Sequence, residues 1–217
     1  MFKIDKKTKR EIINLLKNKY FYIGIIILIS GIVINLMSQT YLYNETSNGQ
    51  SLPKLNDFIL SKLPYYDVSF LYDWFSMLAL VIFIIYTIHK KQYSRLPFIL
   101  FCIGIFQILR GVFIILTPFV NHLGFEGAQS VFKGFSKYEL GVFPSGHTEV
   151  SVMYAFLSKG IYRWILAIIT FGIILSLLFS RGHYSIDILS GLLFAYAIYS
   201  FSSKYLKKHL KYNQKKK

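Results

Sequence analysis

The sequence predicts an all-α, polytopic membrane protein with six transmembrane helices and both termini in the cytoplasm. Of its 217 residues 54% are hydrophobic and 16% are charged, whereas soluble domains average about 25% charged residues. Several apolar runs approach the length of about 20 residues that a helix needs to cross a bilayer. A soluble bundle is a poor alternative, because most of its helices would show a polar face. The six runs are residues 21–37, 71–88, 97–116, 148–157, 164–179 and 186–201.

The two ends of the chain are polar. Residues 1–20 mix basic and apolar side chains, a pattern typical of a helix that lies on the inner membrane surface. Residues 21–203 form the six-helix membrane domain, and residues 204–217 form a basic cytoplasmic tail that is attracted to anionic lipid. No small-x-small cleavage site follows the first apolar run, so we interpret this run as an uncleaved span.

The basic residues predict the orientation. If both termini are inside, the cytoplasmic segments 1–20, 89–96, 158–163 and 203–217 hold 19 of the 25 Lys and Arg residues. This asymmetry follows the positive-inside rule, and it explains the formal charge of +15 without a nucleic-acid partner. The single cysteine, Cys102, excludes a disulfide framework and a cysteine-based zinc site.

Two histidines fall at membrane depth on the predicted outer face, where ionisable residues are functional hypotheses by default. His147 lies where an outer loop enters the short fourth span, and His183 lies between the fifth and sixth spans. Asp187 follows His183 by four residues, so a helix that begins near His183 would place both on one face. The carboxylate would then hold one ring nitrogen and leave the other as a nucleophile or base. The alternative is a pair of interfacial histidines bonded to backbone.

The residues around these histidines suit a phosphate. Ser145 and Gly146 begin a predicted helix, whose free backbone N–H groups favour anions. Arg181 adds a side chain that binds phosphate oxygens in bidentate fashion. Residues 145–158 make only about 21 Å of helix, which places His147 below the outer surface, at the depth of a lipid phosphate. Together these groups describe a phosphoryl-transfer site on the extracytoplasmic side, with no metal and no cofactor.

For each of the other polar residues near the site, the sequence allows two roles. Ser145 is predicted to cap the helix and also to contact phosphate. Arg181 either binds phosphate or extends to lipid headgroups. Arg110 in the third run either pairs with an acid or contacts substrate. Glu149 is either stabilised by the helix dipole or catalytic. The remaining outer acids are expected to be solvated or paired with Arg110: Asp67, Asp73, Glu126 and Glu139.

Two motifs resemble a known family. Pro144-Ser145-Gly146-His147 and Arg181-x-His183-x3-Asp187 resemble the second and third motifs of the type 2 phosphatidic acid phosphatase superfamily. The phosphatase members carry a Lys-x6-Arg-Pro motif that this chain lacks, and they place five residues between the last arginine and histidine, where this chain has one. Its motifs are more similar to the Ser-Gly-His-Thr and His-Tyr-Thr-x-Asp signatures of the sphingomyelin synthase and inositol phosphorylceramide synthase branch. Weaker similarities to this branch are Arg110-x6-Thr117-Pro118 and Leu63-Pro64-Tyr65-Tyr66-Asp67.

The resemblance covers roughly residues 60–200 and implies a metal-independent lipid phosphotransferase. A phosphate or phospho-headgroup would move from a phospholipid donor to a lipid alcohol, with His183 as the nucleophile, Asp187 as its orienting partner and His147 as the general acid and base. With water as the acceptor, the same site would make a lipid phosphate phosphatase or a phospholipase C-like hydrolase. A non-enzymatic membrane protein is the third alternative, but no inverted repeat favours a transporter. Contacts to phosphate or substrate are expected from Arg181, Ser145, Gly146, Arg110 and Glu149.

Overall fold

The computed structural model describes residues 5–48, 51–120, 122 and 143–206, and every regular element within them is helical. The predicted all-α class is therefore confirmed for the described residues. A 3₁₀ turn at Tyr93–Arg95 precedes α5, and a π-helical turn at Ser202–Leu206 follows α8. The helices are α1 Lys6–Leu16, α2 Lys19–Ser47, α3 Phe58–Lys62, α4 Ser69–His89, α5 Leu96–Leu116, α6 Gly146–Leu157, α7 Ile161–Phe179 and α8 Ser185–Phe201.

Five of these helices are long and apolar enough to cross a membrane: α2, α4, α5 with its preceding turn, α7, and α8 with the turn that follows it. Five helices of this length and composition indicate a multi-pass membrane protein. The predicted short fourth run forms a helix, α6, but this helix has 12 residues, or about 18 Å, and it is not among the five candidate spans.

The helices alternate in direction between two ends of the bundle. At one end, the backbone N–H of Tyr66, just before α4, donates to the carbonyl of Phe179 at the end of α7, at 3.0 Å. At the other end, Nδ1 of His89 in the last turn of α4 lies 2.8 Å from the hydroxyl of Tyr162 at the start of α7. Helices α4 and α7 are therefore antiparallel, and we call the end that holds Tyr66 and Phe179 the site end.

Helix α6 runs from the site end toward the other end. Just before it, the N–H of Ser145 donates to the carbonyl of Asp187 in the first turn of α8, at 3.1 Å. Just after it, the carbonyl of Ser158 accepts from Nε of Arg163 in α7, at 3.2 Å. The starts of α6 and α8 therefore lie together, and α6 is enclosed by α4, α7 and α8.

The most extensive helix contact is between α2 and α5, and it is made by backbone against backbone. A Cβ atom added to Gly31 would lie 2.6 Å from the carbonyl oxygen of Gly104, and one added to Gly104 would lie 2.7 Å from the nitrogen of Leu28. Neither distance allows a side chain, so both positions require glycine. Small residues at such contacts let membrane helices pack closely.

The N-terminal segment differs in part from the prediction. Asp5 accepts a hydrogen bond from the N–H of Thr8 and caps α1, and its carboxylate also binds Lys91 between α4 and α5. Because α2 has a separate N-cap in Asn18, the predicted basic segment 1–20 contains one complete helix and the start of another. Some of the predicted features lie outside the described residues: Glu126, Glu139 and most of the basic tail 204–217.

Candidate active site

His183 and Asp187 are in contact at the site end. His183 lies in the turn between α7 and α8, and the Oδ2 atom of Asp187 is 3.3 Å from its Nδ1. The same oxygen accepts a hydrogen bond from the N–H of Tyr184 at 2.9 Å. Because α8 begins at Ser185, the predicted shared helical face is wrong; Asp187 instead reaches back from the first turn, as in a capping box. Contact at Nδ1 leaves Nε2 of His183 for a substrate.

Burial and charge favour the neutral form of His183. The side chain is almost completely enclosed, and this burial lowers its pKa from the ordinary value for histidine. The contact with Asp187 acts in the opposite direction, while the nearby charges of His147 and Arg110 lower the pKa further. Since the net direction is downward, the nucleophilic neutral ring predominates at neutral pH.

Arg181 ends α7 in a conformation that presents its side chain at this turn. Its φ angle is +54°, in the left-handed region, and the N–H of Gly182 closes the turn by donating to the carbonyl of Leu177 at 3.0 Å. The guanidinium carbon lies 5.8 Å from the centre of the Tyr65 ring. Its Nε is buried and has no hydrogen-bond partner among the described residues. A buried N–H group without a partner is suited to an anionic ligand.

His147 is held by a second carboxylate, one that the sequence did not indicate as its partner. Its Nε2 lies 3.3 Å from Oδ1 of Asp73 in α4, and its ring packs edge-on against Tyr72 with 5.0 Å between centroids. Of the two interpretations of Asp73, solvation is wrong, because its side chain is only 4% exposed. The available signal was that Asp73 interrupts an apolar run, where an acid needs a polar partner.

The two histidines face each other across the junction of α6 and α8. Their ring centroids are 6.0 Å apart and the ring planes are inclined by 68°. Helix α8 approaches this junction so closely that a Cβ atom added to Gly191 would lie 2.8 Å from the carbonyl oxygen of Ser145. The hydrogen bond from Ser145 N–H to Asp187 joins the same two helices, so the backbone fixes the relative position of the rings.

Arg110 supports the start of α6 from α5. Its Nε donates to the carbonyl of Pro144 at 3.2 Å, and Nη1 donates to Oδ1 of Asn35 in α2 at 2.8 Å. The space beside it is limited, since a Cβ atom added to Gly146 would lie 3.1 Å from Nε of Arg110. Asn35 was not predicted as a partner of Arg110, although an amide within an apolar run is a signal that a polar partner is needed.

Two further predicted site residues, Ser145 and Glu149, lie at the start of α6. Ser145 is the N-cap of α6, as predicted, and its side chain accepts a hydrogen bond from the N–H of Thr148. Glu149 lies in the first turn of α6, as predicted, but its side chain is only 1% exposed. Neither carboxyl oxygen of Glu149 has a hydrogen-bond partner in the described part of the chain, and its electrostatic partner is Arg110.

The described residues include no group of three or more His, Cys, Asp or Glu side chains that could hold a metal ion. No known protein-family model matches this chain, and no curated protein sequence matches it. The geometry of the site is that of two imidazoles, one buried and one half-buried, each in contact with a carboxylate and close to an arginine and a helix start.

Proposed function

We propose that the protein is an integral-membrane lipid phosphotransferase that acts through a phosphohistidine at His183. The observation that carries this proposal is the contact at 3.3 Å between Oδ2 of Asp187 and Nδ1 of His183. A carboxylate on one ring nitrogen fixes the tautomer, so that the other nitrogen has its lone pair free for attack. The adjacent His147 supplies the acid and base that such a transfer needs.

The reaction proceeds in two steps that share one covalent intermediate. Nε2 of His183 attacks the phosphorus of a phospholipid, the N–P bond forms, and the P–O bond to the leaving alcohol breaks. Protonated His147 gives its proton to the leaving oxygen. A lipid alcohol then gives its proton to His147 while its oxygen attacks phosphorus, and the N–P bond breaks to restore His183. The carboxylates of Asp187 and Asp73 contact the two rings and stabilise the positive charge that each ring carries in turn.

The phosphate oxygens need positive charge and N–H donors during both steps. Arg181, with a buried Nε that lacks a partner in the described chain, is suited to supply the charge. The start of α6, at Gly146, supplies backbone N–H groups and the positive end of a helix dipole. Donors that are already in place when charge develops are a large source of catalysis, and they need no metal.

Resemblance favours transfer over hydrolysis. The Ser145-Gly146-His147-Thr148 and His183-to-Asp187 motifs are similar to those of the sphingomyelin synthase branch of the type 2 phosphatidic acid phosphatase superfamily. Members of that branch use a lipid alcohol as the acceptor. Hydrolysis by the same site, with water as the acceptor, is an outcome that the experiment below distinguishes.

We further propose that α6 is a sixth, short span and that the site is extracytoplasmic. Helix α6 begins at the site end and is followed at once by α7, which begins at the opposite end, so it occupies the place of a span. The basic loops then fall on the side away from the site, as the positive-inside rule requires. Because α6 is short, this arrangement places His147 below the membrane surface, where lipid phosphates lie.

The test measures which molecule receives the labelled phosphorus. Purified protein in liposomes is incubated with a phospholipid labelled at phosphorus, with and without diacylglycerol or ceramide. We expect the label to move into a new phospholipid only when an acceptor is present, and to be trapped on His183 in alkali-stable, acid-labile form. Release of water-soluble label, whether or not an acceptor is present, would indicate a hydrolase. If the labelled phospholipid is not converted at all, the non-enzymatic alternative remains. His183→Ala is the matched control.

A further inference from the structure

The segment that joins α2 to α4 lies against the turn that carries His183. We call residues 51–68 of this segment the strap. Its short helix α3 is anchored by Leu60, which is completely buried against Phe119 and Tyr184. Three hydrogen bonds join the strap to the region between the end of α7 and the start of α8: Leu55 N–H to the hydroxyl of Tyr184 at 3.1 Å, Ser185 N–H to Oδ2 of Asp57 at 2.6 Å, and Tyr66 N–H to the carbonyl of Phe179 at 3.0 Å.

Asp57 caps two helices with one carboxylate. Its Oδ1 accepts hydrogen bonds from the N–H groups of Ile59 and Leu60, at 2.9 and 3.0 Å, and so caps α3. Its Oδ2 accepts from the N–H of Ser185, the first residue of α8, across 128 positions of sequence. A negative charge is favourable at each of these helix starts.

The charge on Asp57 is retained at neutral pH. Burial alone would raise the pKa of this carboxyl group, but the hydrogen bonds donated by Leu60 and Ser185 outweigh burial and hold the pKa below its ordinary value. Hydrogen bonds to an ionised acceptor are stronger than neutral ones. Asp57 is therefore a strong link between the strap and α8.

The link acts next to the proposed nucleophile. Asp187 holds the peptide group before Tyr184 by accepting its N–H, and Asp57 holds the peptide group after it by accepting the N–H of Ser185. Both peptide groups that follow His183 are thus fixed by carboxylates from different parts of the chain. We propose that Asp57 is a positioning residue that holds the His183 turn against Asp187. For its catalytic part, this proposal rests on the proposed function.

Two substitutions of Ser185 separate its backbone donor from its hydroxyl, which also hydrogen-bonds Asp57. Ser185 occupies the first position of α8, where proline is well tolerated, and Tyr184 has φ −70° and ψ 155°, which suit a residue before proline. Ser185→Pro therefore deletes the N–H group while it preserves the helix, and Ser185→Ala is its matched control because it keeps the N–H group. Asp57→Ala deletes the acceptor, and Asp57→Asn keeps the shape but leaves only one accepting oxygen. Asp67→Asn, at an exposed strap position, is the control for loss of an acid.

The first readout needs no turnover. Diethyl pyrocarbonate modifies neutral imidazole, and mass spectrometry reports the rate at His183, which is 6% exposed. We expect modification about tenfold faster in Asp57→Ala and in Ser185→Pro, as the loss of a hydrogen bond to a charged group implies. The double variant should be no faster than either single one, because both remove the same contact. Asp67→Asn should match the unmodified protein, and Ser185→Ala, which loses only the hydroxyl, should be modified more slowly than Ser185→Pro.

The second readout is catalytic. We expect kcat to fall about 10- to 100-fold in Asp57→Ala and in Ser185→Pro, with little change in KM, because a small displacement of the nucleophile affects the reacting geometry more than lipid binding. If Asp57→Ala does not fold, Asp57→Asn and Ser185→Pro provide the same comparison. Unchanged His183 modification in these variants, or effects that multiply in the double variant, would overturn the positioning role. If the unmodified protein shows no phosphotransfer, the proposed function fails, while the modification rates still decide whether Asp57 holds the turn.

Discussion

The imidazole rings of His147 and His183 meet edge to face with their centroids 6.0 Å apart, yet their carboxylates bind opposite nitrogens. Asp73 contacts Nε2 of His147, whereas Asp187 contacts Nδ1 of His183. His183 thus keeps Nε2 for the substrate and His147 keeps Nδ1. The two residues are not interchangeable, and their substitution should have different effects.

Activated substrates should separate the two histidines. His183→Ala should abolish turnover of every substrate, because no phosphohistidine can form. His147→Ala should lose about two to four orders of magnitude with a phospholipid, the usual contribution of a general acid. With a nitrophenyl phosphodiester, whose leaving group needs no proton, His147→Ala should recover part of this loss and His183→Ala none. Recovery in His183→Ala alone would mean that the roles are reversed.

Asp73 should contribute to catalysis through His147. Asp73→Asn keeps the shape of the side chain but cannot stabilise the protonated ring, so kcat with a phospholipid should fall about 10- to 100-fold, less than for the loss of the acid itself. The nitrophenyl substrate should be much less affected. Steady-state kinetics on both substrates, with Asp67→Asn as the control, provide the measurement. Equal losses on both substrates would contradict a role through His147.

The pH profile should report the neutral form of His183. Because burial lowers the pKa of His183, its neutral form persists below the ordinary histidine value of about 6.5. The acid limb of kcat/KM should therefore lie below this value, with activity lost as the pH falls through the folded-state pKa. In Asp187→Asn the residual activity should have an acid limb at still lower pH, since the carboxylate that raises the pKa is gone. A limb at or above the ordinary value would contradict this assignment.

Cysteine labelling should test the orientation. In a Cys102→Ser background, a cysteine at Asn48, after α2, should react with an impermeant maleimide applied from outside intact cells. A cysteine at Gln92, between α4 and α5, should react only after permeabilisation, because the basic residues of that loop favour the cytoplasm. The reversed pattern would place the site end in the cytoplasm.

Chelation should leave activity intact. Arg181 and the start of α6 provide the positive charge that a phosphoryl transfer needs, and the proposed steps use no metal ion. Activity in excess EDTA should therefore equal that in untreated samples. Complete loss with EDTA, followed by recovery with a divalent cation, would mean that the phosphate is stabilised differently.

The apolar runs predicted the helices well, but not their ends. In a bilayer the backbone N–H and C=O groups must form their hydrogen bonds within helices. An apolar run of sufficient length is therefore a strong signal for a membrane-spanning helix. Helix α2 nevertheless continues to Ser47, ten residues beyond the predicted run 21–37, because a helix that leaves the hydrocarbon region can continue with polar side chains. Composition alone carries no information about this extension.

The local contact in the site could be predicted from the sequence, whereas the contacts between distant residues could not. The pairing of His183 with Asp187 could be predicted because four residues separate them, although the helix begins later than expected. The contact between His147 and Asp73 spans 74 positions, and that between Ser185 and Asp57 spans 128. Such contacts depend on how α4 and the strap pack against α6 and α8, which periodicity and spacing do not encode.

The glycine contact between α2 and α5 limits how a lipid reaches the site. A lipid whose phosphate reacts at His183 while its acyl chains stay in the bilayer must pass sideways between two helices. With Gly31 and Gly104 in backbone contact, α2 and α5 leave no gap for an acyl chain and form a closed wall of the bundle. For the proposed activity, substrate and product must therefore pass between other helices, where side chains can change rotamer to admit a hydrocarbon chain.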